Sequence, residues 1–327
     1  MRISNNQNIR ALMSPASPSP IRGLGFALTG FAFFAMHDAL IKHLGTTYSV
    51  FQIIFFAMLF AFIPMATIML ADKAEENFRP RHPWLVVARG ALGIIGMSGA
   101  FYAFSTLPLT EVYGLLFSTP LLITAFSVPL LGEVVRVRRW LAVFIGLIGV
   151  LIVLRPGVSE FTLGHAAALT AACASALTSV VLRKIGGQER SAVLILYTML
   201  AALLVTGILM PQTYKPIELP DLLLLAGVGF LSVCAQFCII YAYRQAPAAV
   251  IAPIQYSQIL WAALFGVLFF MEKPDIYVAI GSAIVIGSGV FVVWRESKQD
   301  VSAQSPVLRT GNPRYDAGPS PWTKKSE

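Results

Sequence analysis

Asp38 is the residue whose type and position most clearly suggest chemistry, because it lies inside the first apolar run, within FFAMHDALIKHLG (33–45). An ionised group in a membrane-spanning segment usually faces a cavity or a partner, so Asp38 could hold a proton or a cationic solute group. Lys42 follows on the same helical face and could pair with it instead. On a helix, His37 should point about 100° away from Asp38, which predicts packing or a weak polar contact. The choice between cavity and ion pair stays open.

Two more charged residues lie inside apolar runs, Arg89 in the third and Glu111 in the fourth. Glu111 could be an interfacial carboxylate that reaches water. If it shares a cavity with Asp38, the two like charges favour holding a proton or a cationic group there. Arg89 could extend its guanidinium to the membrane surface. It could also bind a carboxylate or phosphate through two parallel hydrogen bonds.

The fourth and ninth apolar runs supply uncharged polar and aromatic groups. Gln255 and Gln258 recur at helical spacing in the ninth run, with Trp261 one turn further on. Tyr113 and Phe117 lie in the fourth run. Amides in lipid either hydrogen-bond between helices or line a cavity. A cavity with these rings would suit a planar or zwitterionic solute better than an inorganic ion.

Several reaction chemistries find no support in the sequence. The three cysteines, Cys173, Cys234 and Cys238, lie in apolar runs without a histidine at ligand spacing, so neither a disulfide framework nor a zinc site is expected. The sequence has no H-E-x-x-H and no P-loop, and GLGFALTG (23–30) lacks the third glycine and the preceding strand of a dinucleotide loop. We therefore expect no catalytic residue, no metal and no cofactor, and we do not expect an enzyme.

The composition places these candidate residues in a membrane protein. Of the 327 residues, 57% are hydrophobic and only 12% are charged, whereas soluble domains average roughly 25% charged residues. A membrane helix needs about 20 mostly apolar residues. Ten runs meet this requirement, at 22–43, 49–71, 84–106, 109–131, 138–154, 161–182, 191–211, 221–243, 248–271 and 276–294. The polar segments 1–21 and 296–327 are expected to be disordered.

The distribution of basic residues predicts the orientation of these spans. Most of the 24 Lys and Arg residues fall in the two termini and in alternate connections on the same side. Cytoplasmic loops are enriched in Lys and Arg, so both termini should be cytoplasmic. The net charge of +8 is spread through these connections instead of forming one basic patch. We therefore expect the lipid bilayer as a partner, and no nucleic acid.

The chain contains an internal repeat at an offset of 139 residues. The offset aligns 101–133 with 240–272 and brings together Tyr102 with Tyr241, Pro108 with Pro247, and Glu133 with Glu272. Each half would have five spans, an odd number, so the halves should cross the membrane in opposite senses. The predicted fold is an all-α polytopic membrane protein of ten transmembrane helices in two inverted five-helix repeats. Inverted repeats recur in transporters, in which one half rocks against the other around a central site.

Two segments resemble a known family. LGEVVRVRRWLAVFIGLIGVLIVLRPG (131–157) and FMEKPDIYVAIGSAIVIGSGVFVVWRE (270–296) are similar to the ends of the two EamA-type repeats of the drug/metabolite transporter superfamily. In that pattern a Glu closes the fourth helix and a Gly-rich fifth helix follows. The resemblance implies repeats at 22–157 and 158–295 and a multi-pass location in a bacterial inner membrane. It also implies transport of a small polar metabolite, such as an amino acid, riboflavin, or a nucleoside-like or S-adenosylmethionine-like solute.

The energy source follows from what the sequence lacks. Without a nucleotide-binding signature, we expect a secondary transporter that is driven by a proton gradient or by exchange. The alternative is an intramembrane enzyme, or a membrane sensor or assembly partner without transport activity, but neither predicts the inverted repeat. The expected partners are a small-molecule metabolite and lipid, and a homodimer is left open.

Overall fold

The computed structural model describes residues 20–71, 79–132, 137–155, 160–185, 188–189, 191–246, 248–273 and 275–298. The regular elements in these ranges are all helices, and no β-strand occurs in them. The predicted disordered segments, 1–21 and 296–327, lie almost wholly outside the described residues. At their inner edges, the first helix already begins at Pro20 and the last continues to Lys298.

The helices follow one another with short connections. In chain order they are α1 (Pro20–Leu44), α2 (Val50–Ala71), α3 (Pro83–Thr106), α4 (Leu109–Leu116), α5 (Thr119–Leu131), α6 (Val137–Leu154), α7 (Leu163–Ile185), α8 (Ser191–Leu209), α9 (Leu219–Gln245), α10 (Ala248–Ile251), α11 (Gln258–Phe270) and α12 (Ile276–Lys298). Two 3₁₀ helices, Met210–Thr213 and Ala252–Ser257, follow α8 and α10. We call α1–α6 the first half and α7–α12 the second half.

Seven segments among the described residues are long and apolar enough to cross a membrane. They are Ile21–Leu44, Pro83–Thr106, Leu109–Leu131, Leu163–Ile185, Val193–Thr213, Leu219–Gln245 and Ala252–Phe270. Three shorter apolar helices, Val50–Ala66, Trp140–Leu154 and Ile276–Val292, lie in other predicted spans. An all-helical polytopic membrane protein is thus confirmed, while the count of ten crossings and the orientation of the termini stay predictions.

The fourth and ninth predicted spans are both interrupted. In the fourth, α4 ends at Leu116 and α5 begins at Thr119, so Pro120 lies in the first turn of a new helix. Proline is tolerated there because the first turn leaves backbone N–H groups without helical acceptors anyway. In the ninth, the 3₁₀ helix Ala252–Ser257 separates α10 from α11. Each interruption brings backbone and side chains of an irregular segment into the middle of the bundle.

The element boundaries recur at the offset of the sequence repeat. The first residues of α5 and α11 lie 139 positions apart, and so do their last residues. The same offset separates the first residues of α6 and α12 and the last residues of α3 and α9. The residues that follow α5 and α11, Gly132 and Met271, both have left-handed backbones, with φ of 69° and 54°. The two halves therefore share one plan of helix starts and stops.

Helix packing follows the same plan. The most extensive contacts join α1 to α9, α3 to α7, and α6 to α12. In the two halves α1 corresponds to α7 and α3 corresponds to α9. The α1–α9 and α7–α3 contacts are therefore equivalent. At the α6–α12 crossing, a β-carbon on Gly149 would lie 2.7 Å from the Gly281 carbonyl oxygen, so the two backbones touch. Small residues allow helices in lipid to approach this closely.

The matched helix ends yield a prediction about stability. A residue with a β-carbon is strained in the left-handed region by about 1 kcal/mol, and Met271 is 90% exposed, so its side chain contributes little packing. Met271→Gly should raise the thermal midpoint of the purified protein, because it relieves this strain. The rise should be slight, because glycine also increases the entropy of the unfolded chain, which lowers stability. Gly132→Ala, the matched change in the first half, should lower it. A lower midpoint for Met271→Gly would contradict the strain argument.

Candidate functional site

Asp38 lies in α1 with a relative exposure of 0%. Tyr113 of α4 donates its hydroxyl hydrogen to Asp38 Oδ2, and His37 Nδ1 lies 3.0 Å from Asp38 Oδ1. Packing or a weak polar contact was predicted for His37, and the structure shows a polar contact. Neighbouring β-carbons diverge on a helix, but the ring nitrogen nearest the backbone and the carboxylate can turn towards each other. The burial of Asp38 is therefore matched by hydrogen bonds to its carboxylate.

Gln258 extends this network into the second half of the chain. It is the first residue of α11 and is buried, and its Nε2 donates to the Tyr113 hydroxyl at 3.4 Å. We call His37, Asp38, Tyr113 and Gln258 the Asp38 cluster. Its members come from α1, α4 and α11, so the cluster joins the two halves, with Tyr113 before the break in the fourth span and Gln258 after the break in the ninth.

The aromatic residues near the cluster pack as a row. Phe117 has its ring centre 5.8 Å from that of Tyr113 and 5.0 Å from that of Tyr256, with an edge-to-face arrangement at Tyr256. Trp261 lies away from these rings, stacked near Phe265 at 6.2 Å. Of the predicted aromatic site residues, Tyr113 and Phe117 therefore come together with Asp38, whereas Trp261 packs further along α11.

Lys42 forms bonds that connect it to both halves of the molecule. Its Nζ lies 2.9 Å from Glu272 Oε1 and donates to the Leu107 carbonyl oxygen at 2.6 Å. The other carboxylate oxygen, Glu272 Oε2, accepts the Leu109 N–H at 3.0 Å, at the start of α4. We call Lys42 and Glu272, with these two backbone groups, the end clamp. The pairing of Lys42 thus favours Glu272 over Asp38.

Glu111 takes part in a separate hydrogen bond. Its Oε1 lies 2.8 Å from His165 Nε2 in α7, and His165 Nδ1 accepts the Thr162 N–H at 3.0 Å. This second bond leaves Nε2 as the protonated nitrogen that faces Glu111. The structure therefore places Glu111 against the start of α7, with its partner 54 positions along the chain.

Gln255 does not share the environment of Gln258. It lies in the 3₁₀ helix Ala252–Ser257 and is half-buried, whereas Gln258 begins α11 and is buried. The prediction that the two amides share one face assumed a continuous α-helix. The helix changes from 3₁₀ to α between them, so the α-helical spacing does not apply.

A cavity of about 170 Å³ lies next to the Asp38 cluster. Its walls come from α1, α2 and α3 of the first half and from α8 and α9 of the second half. The polar side chains in its lining are His37, Arg89, Thr198, Ser232 and Gln236, and the larger apolar ones are Met58, Met65, Met97, Met199, Phe101 and Phe237. Of the eight predicted site residues, Arg89 lines this cavity. Asp38 is not in the lining but contacts His37, which is.

Arg89 is buried in α3, with 3% exposure, and does not extend to the surface. Its Nη1 donates to Thr198 Oγ1 at 2.6 Å and to the Leu194 carbonyl oxygen at 3.1 Å, both on α8. Thr198 Oγ1 in turn bonds to the Leu194 carbonyl oxygen at 2.7 Å. Arg89 therefore holds a fixed place in the cavity wall between the two halves.

Sequence reasoning missed the methionine lining and the cavity role of His37. A methionine in an apolar run has the same pattern whether it faces lipid or a cavity, so the sequence held no signal for the four in the lining. For His37 a signal existed, because a histidine next to a buried carboxylate is itself an unusual feature of a membrane span.

These features together define a polytopic helical membrane protein with a partly charged cavity between two similarly built halves. The chain belongs to the EamA-like transporter family, whose model matches residues 21–155 and again residues 162–294. The resemblance to EamA-type transporters of the drug/metabolite transporter superfamily is thereby confirmed.

The names of similar proteins are consistent with this family. The chain is 24% identical to the S-adenosylmethionine uptake transporter of Rickettsia bellii, over 84% of this chain and 94% of that protein. It is 27% identical to the pseudopaline exporter of Pseudomonas aeruginosa, over 81% and 91% of the two chains. It is 29% identical to the riboflavin transporter of Vibrio cholerae, over 64% and 70%. All three names describe transporters and none describes an enzyme.

A solved structure shares the fold. One crystal structure superposes with a TM-score of 0.56 at 19% sequence identity, covering 85% of this chain and 98% of that one. At this identity the match concerns the fold alone.

The end clamp predicts a measurable coupling between Lys42 and Glu272. Both side chains are 15% exposed, so their attraction should exceed that of a surface pair and contribute about 1 kcal/mol to stability. A double-mutant cycle with Lys42→Met and Glu272→Gln, measured by denaturation in mixed micelles, should show this coupling. The more exposed pair Arg155–Asp275 is the control and should couple more weakly. Equal coupling in the two pairs would contradict the assignment.

Proposed function

We propose that this protein is a secondary transporter that moves a small polar organic metabolite across a bacterial inner membrane by alternating access. The observation that carries the proposal is the position of the cavity. Its walls combine α1–α3 of the first half with α8 and α9 of the second half, so a movement of one half against the other would change its opening. A central site between two repeats is what alternating access requires.

The proposal includes ten membrane crossings, two inverted halves and two cytoplasmic termini. The recurrence of helix boundaries at 139 residues and the matching pairs α1–α9 and α3–α7 support two equivalent units. Five crossings in each unit make the second unit enter the membrane from the opposite side. The excess of Lys and Arg on the side of the termini supports the orientation.

The proposed substrates are small organic metabolites. The relatives are named for S-adenosylmethionine, pseudopaline and riboflavin, and their names include both uptake and export. Neither a substrate nor a direction carries over from relatives that differ among themselves in both. The size of the cavity supports a solute no larger than a small metabolite in the state that the structure shows.

We propose that Asp38 couples transport to a proton gradient or to exchange. Its carboxylate is buried, it bonds to Tyr113 and to His37, and His37 also lines the cavity. A buried carboxylate is easily shifted between its charged and protonated forms by a change in its surroundings. Solute entering the cavity beside His37 would provide such a change.

Counterflow in proteoliposomes tests the function. Vesicles that contain the purified protein and unlabelled riboflavin, S-adenosylmethionine or an amino acid should take up the labelled compound in a saturable way, for at least one compound. Empty vesicles and vesicles with Gly149→Val, which would force α6 away from α12, serve as controls. No counterflow across a broad metabolite panel, with correctly folded protein, would favour the alternative of an intramembrane enzyme or a sensor without transport activity.

The coupling role of Asp38 gives a second test. Asp38→Asn keeps the shape of the side chain but removes the titrating group, so transport should fall about tenfold or more and lose its dependence on the proton gradient. Lys42→Ala should have a smaller effect at equal membrane expression, since Lys42 belongs to the end clamp. Both variants are compared by initial uptake rates between pH 5 and pH 8. Normal transport by Asp38→Asn over this range would show that Asp38 is not the coupling group.

A further inference from the structure

The segment before α2 contacts the start of α9 in the other half. Tyr48 lies two residues before α2, and its hydroxyl donates to Asp221 Oδ2 at 2.6 Å, in the first turn of α9. Tyr48 is buried. In the first turn of α2, the buried Gln52 side chain exchanges two hydrogen bonds with the Lys215 backbone, at 2.7 and 3.1 Å. We call Tyr48 and Asp221 the outer contact, because the proposed orientation places both on the side opposite the termini.

The start of α3 contacts the segment before α8 in a similar way. The backbone N–H of His82, the residue that precedes α3, donates to Glu189 Oε1 at 2.5 Å, and Glu189 lies two residues before α8. Glu189 is buried, and the His82 side chain does not cap the helix itself. A carboxylate at the N-terminal end of a helix is stabilised by the N–H groups there. We call His82 and Glu189 the inner contact, because the proposed orientation places both on the cytoplasmic side.

The repeat relates the two contacts to each other. His82 and Asp221, at the starts of the corresponding helices α3 and α9, lie 139 positions apart. Tyr48 and Glu189 each lie two residues before the corresponding helices α2 and α8. Exchanging the first half for the second therefore turns one contact into the other, although the bonding groups differ. In an inverted repeat, such equivalent places lie on opposite sides of the membrane.

The cavity lies between these two contacts. The four helices that they join, α2, α3, α8 and α9, supply all of its lining except His37. Along α3, Arg89 is the lining residue nearest to His82, about 10 Å away at about 1.5 Å per residue. Along α2, Met58 is the lining residue nearest to Tyr48, about 15 Å away by the same measure. The contacts therefore join the two halves beyond opposite ends of the cavity.

We propose that the outer and inner contacts are the two gates of the cavity and that they open one at a time, an inference that rests on the proposed transport function and orientation. When the inner contact separates, α3 and α8 part and the cavity opens to the cytoplasm. When the outer contact separates, α2 and α9 part and the cavity opens to the other side. The loss of one hydrogen bond shifts a two-state equilibrium by about fivefold. A single substitution at either gate therefore changes the balance between the two openings measurably.

Access to the cavity from each side tests the two gates separately. Gln236 lines the cavity, and Gln236→Cys is the reporter in a full-length chain whose three native cysteines are replaced by alanine. A membrane-impermeant thiol reagent is applied to intact cells and to inverted vesicles. The two labelling rates of each gate variant are compared with those of the reporter chain with intact gates. This measurement needs no transported solute.

One variant weakens each gate. Tyr48→Phe removes the hydroxyl and keeps the ring, so labelling should rise about fivefold in intact cells and should not rise in inverted vesicles. Glu189→Ala removes the carboxylate, so labelling should rise about fivefold in inverted vesicles and should not rise in intact cells. The exposed residues Tyr214 and Gln188 supply the matched controls, and Tyr214→Phe and Gln188→Ala should label like the chain with intact gates. Folding is checked by gel filtration. If Glu189→Ala does not fold, Glu189→Gln, which keeps a weaker acceptor, should give a smaller rise on the same side.

Three results would overturn the proposal: unchanged labelling in both gate variants, equal rises on both sides, or rises on the sides opposite to those expected. Equal rises would show that the contacts only stabilise the fold. The outcome is separable from that of the transport assay. One-sided rises without counterflow of any metabolite contradict transport but not the gates. Counterflow with unchanged labelling contradicts the gates but not transport.

Discussion

The Asp38 carboxylate is fully buried in the helix bundle. Burying an ionised group costs several kcal/mol of folding free energy unless hydrogen bonds compensate it. The hydroxyl of Tyr113 and the ring of His37 supply those bonds. Tyr113 lies in α4, before the interruption of the fourth span, and Gln258 extends the contact to the start of α11. The arrangement of both interrupted spans is therefore tied to one acidic side chain.

A second connection between the halves lies at the end of the same helices. The end clamp joins Lys42 of α1 to Glu272 just beyond α11, and Glu272 also accepts the first N–H group of α4. The Asp38 cluster and the end clamp thus link the same three helices at two levels. A relative motion of the halves would have to change bonds at both levels, and this would alter the surroundings of Asp38 and of the cavity together.

The sequence predicted the features that depend on local chemistry. Asp38 stands out because a carboxylate is rare in lipid, and Pro120 and Pro253 inside two apolar runs are a local signal for an interrupted helix because proline cannot continue a helical hydrogen-bond pattern. It could not predict contacts between distant positions. Glu111 meets His165 and Arg89 meets Thr198 through packing that no nearby residue signals. The His37–Asp38 contact was local but depends on side-chain rotation, which the helical wheel does not describe.

Access to the cavity from each side of the membrane is the most direct measure of the central claim, that the two halves alternately open one cavity. Ser232 lines the cavity and becomes a reporter as Ser232→Cys, after Cys173, Cys234 and Cys238 are replaced by alanine. A membrane-impermeant thiol reagent should label it both in intact cells and in inverted vesicles, and a transported solute should change the two rates in opposite directions. Labelling from one side only, unaffected by any transported solute, would contradict alternating access.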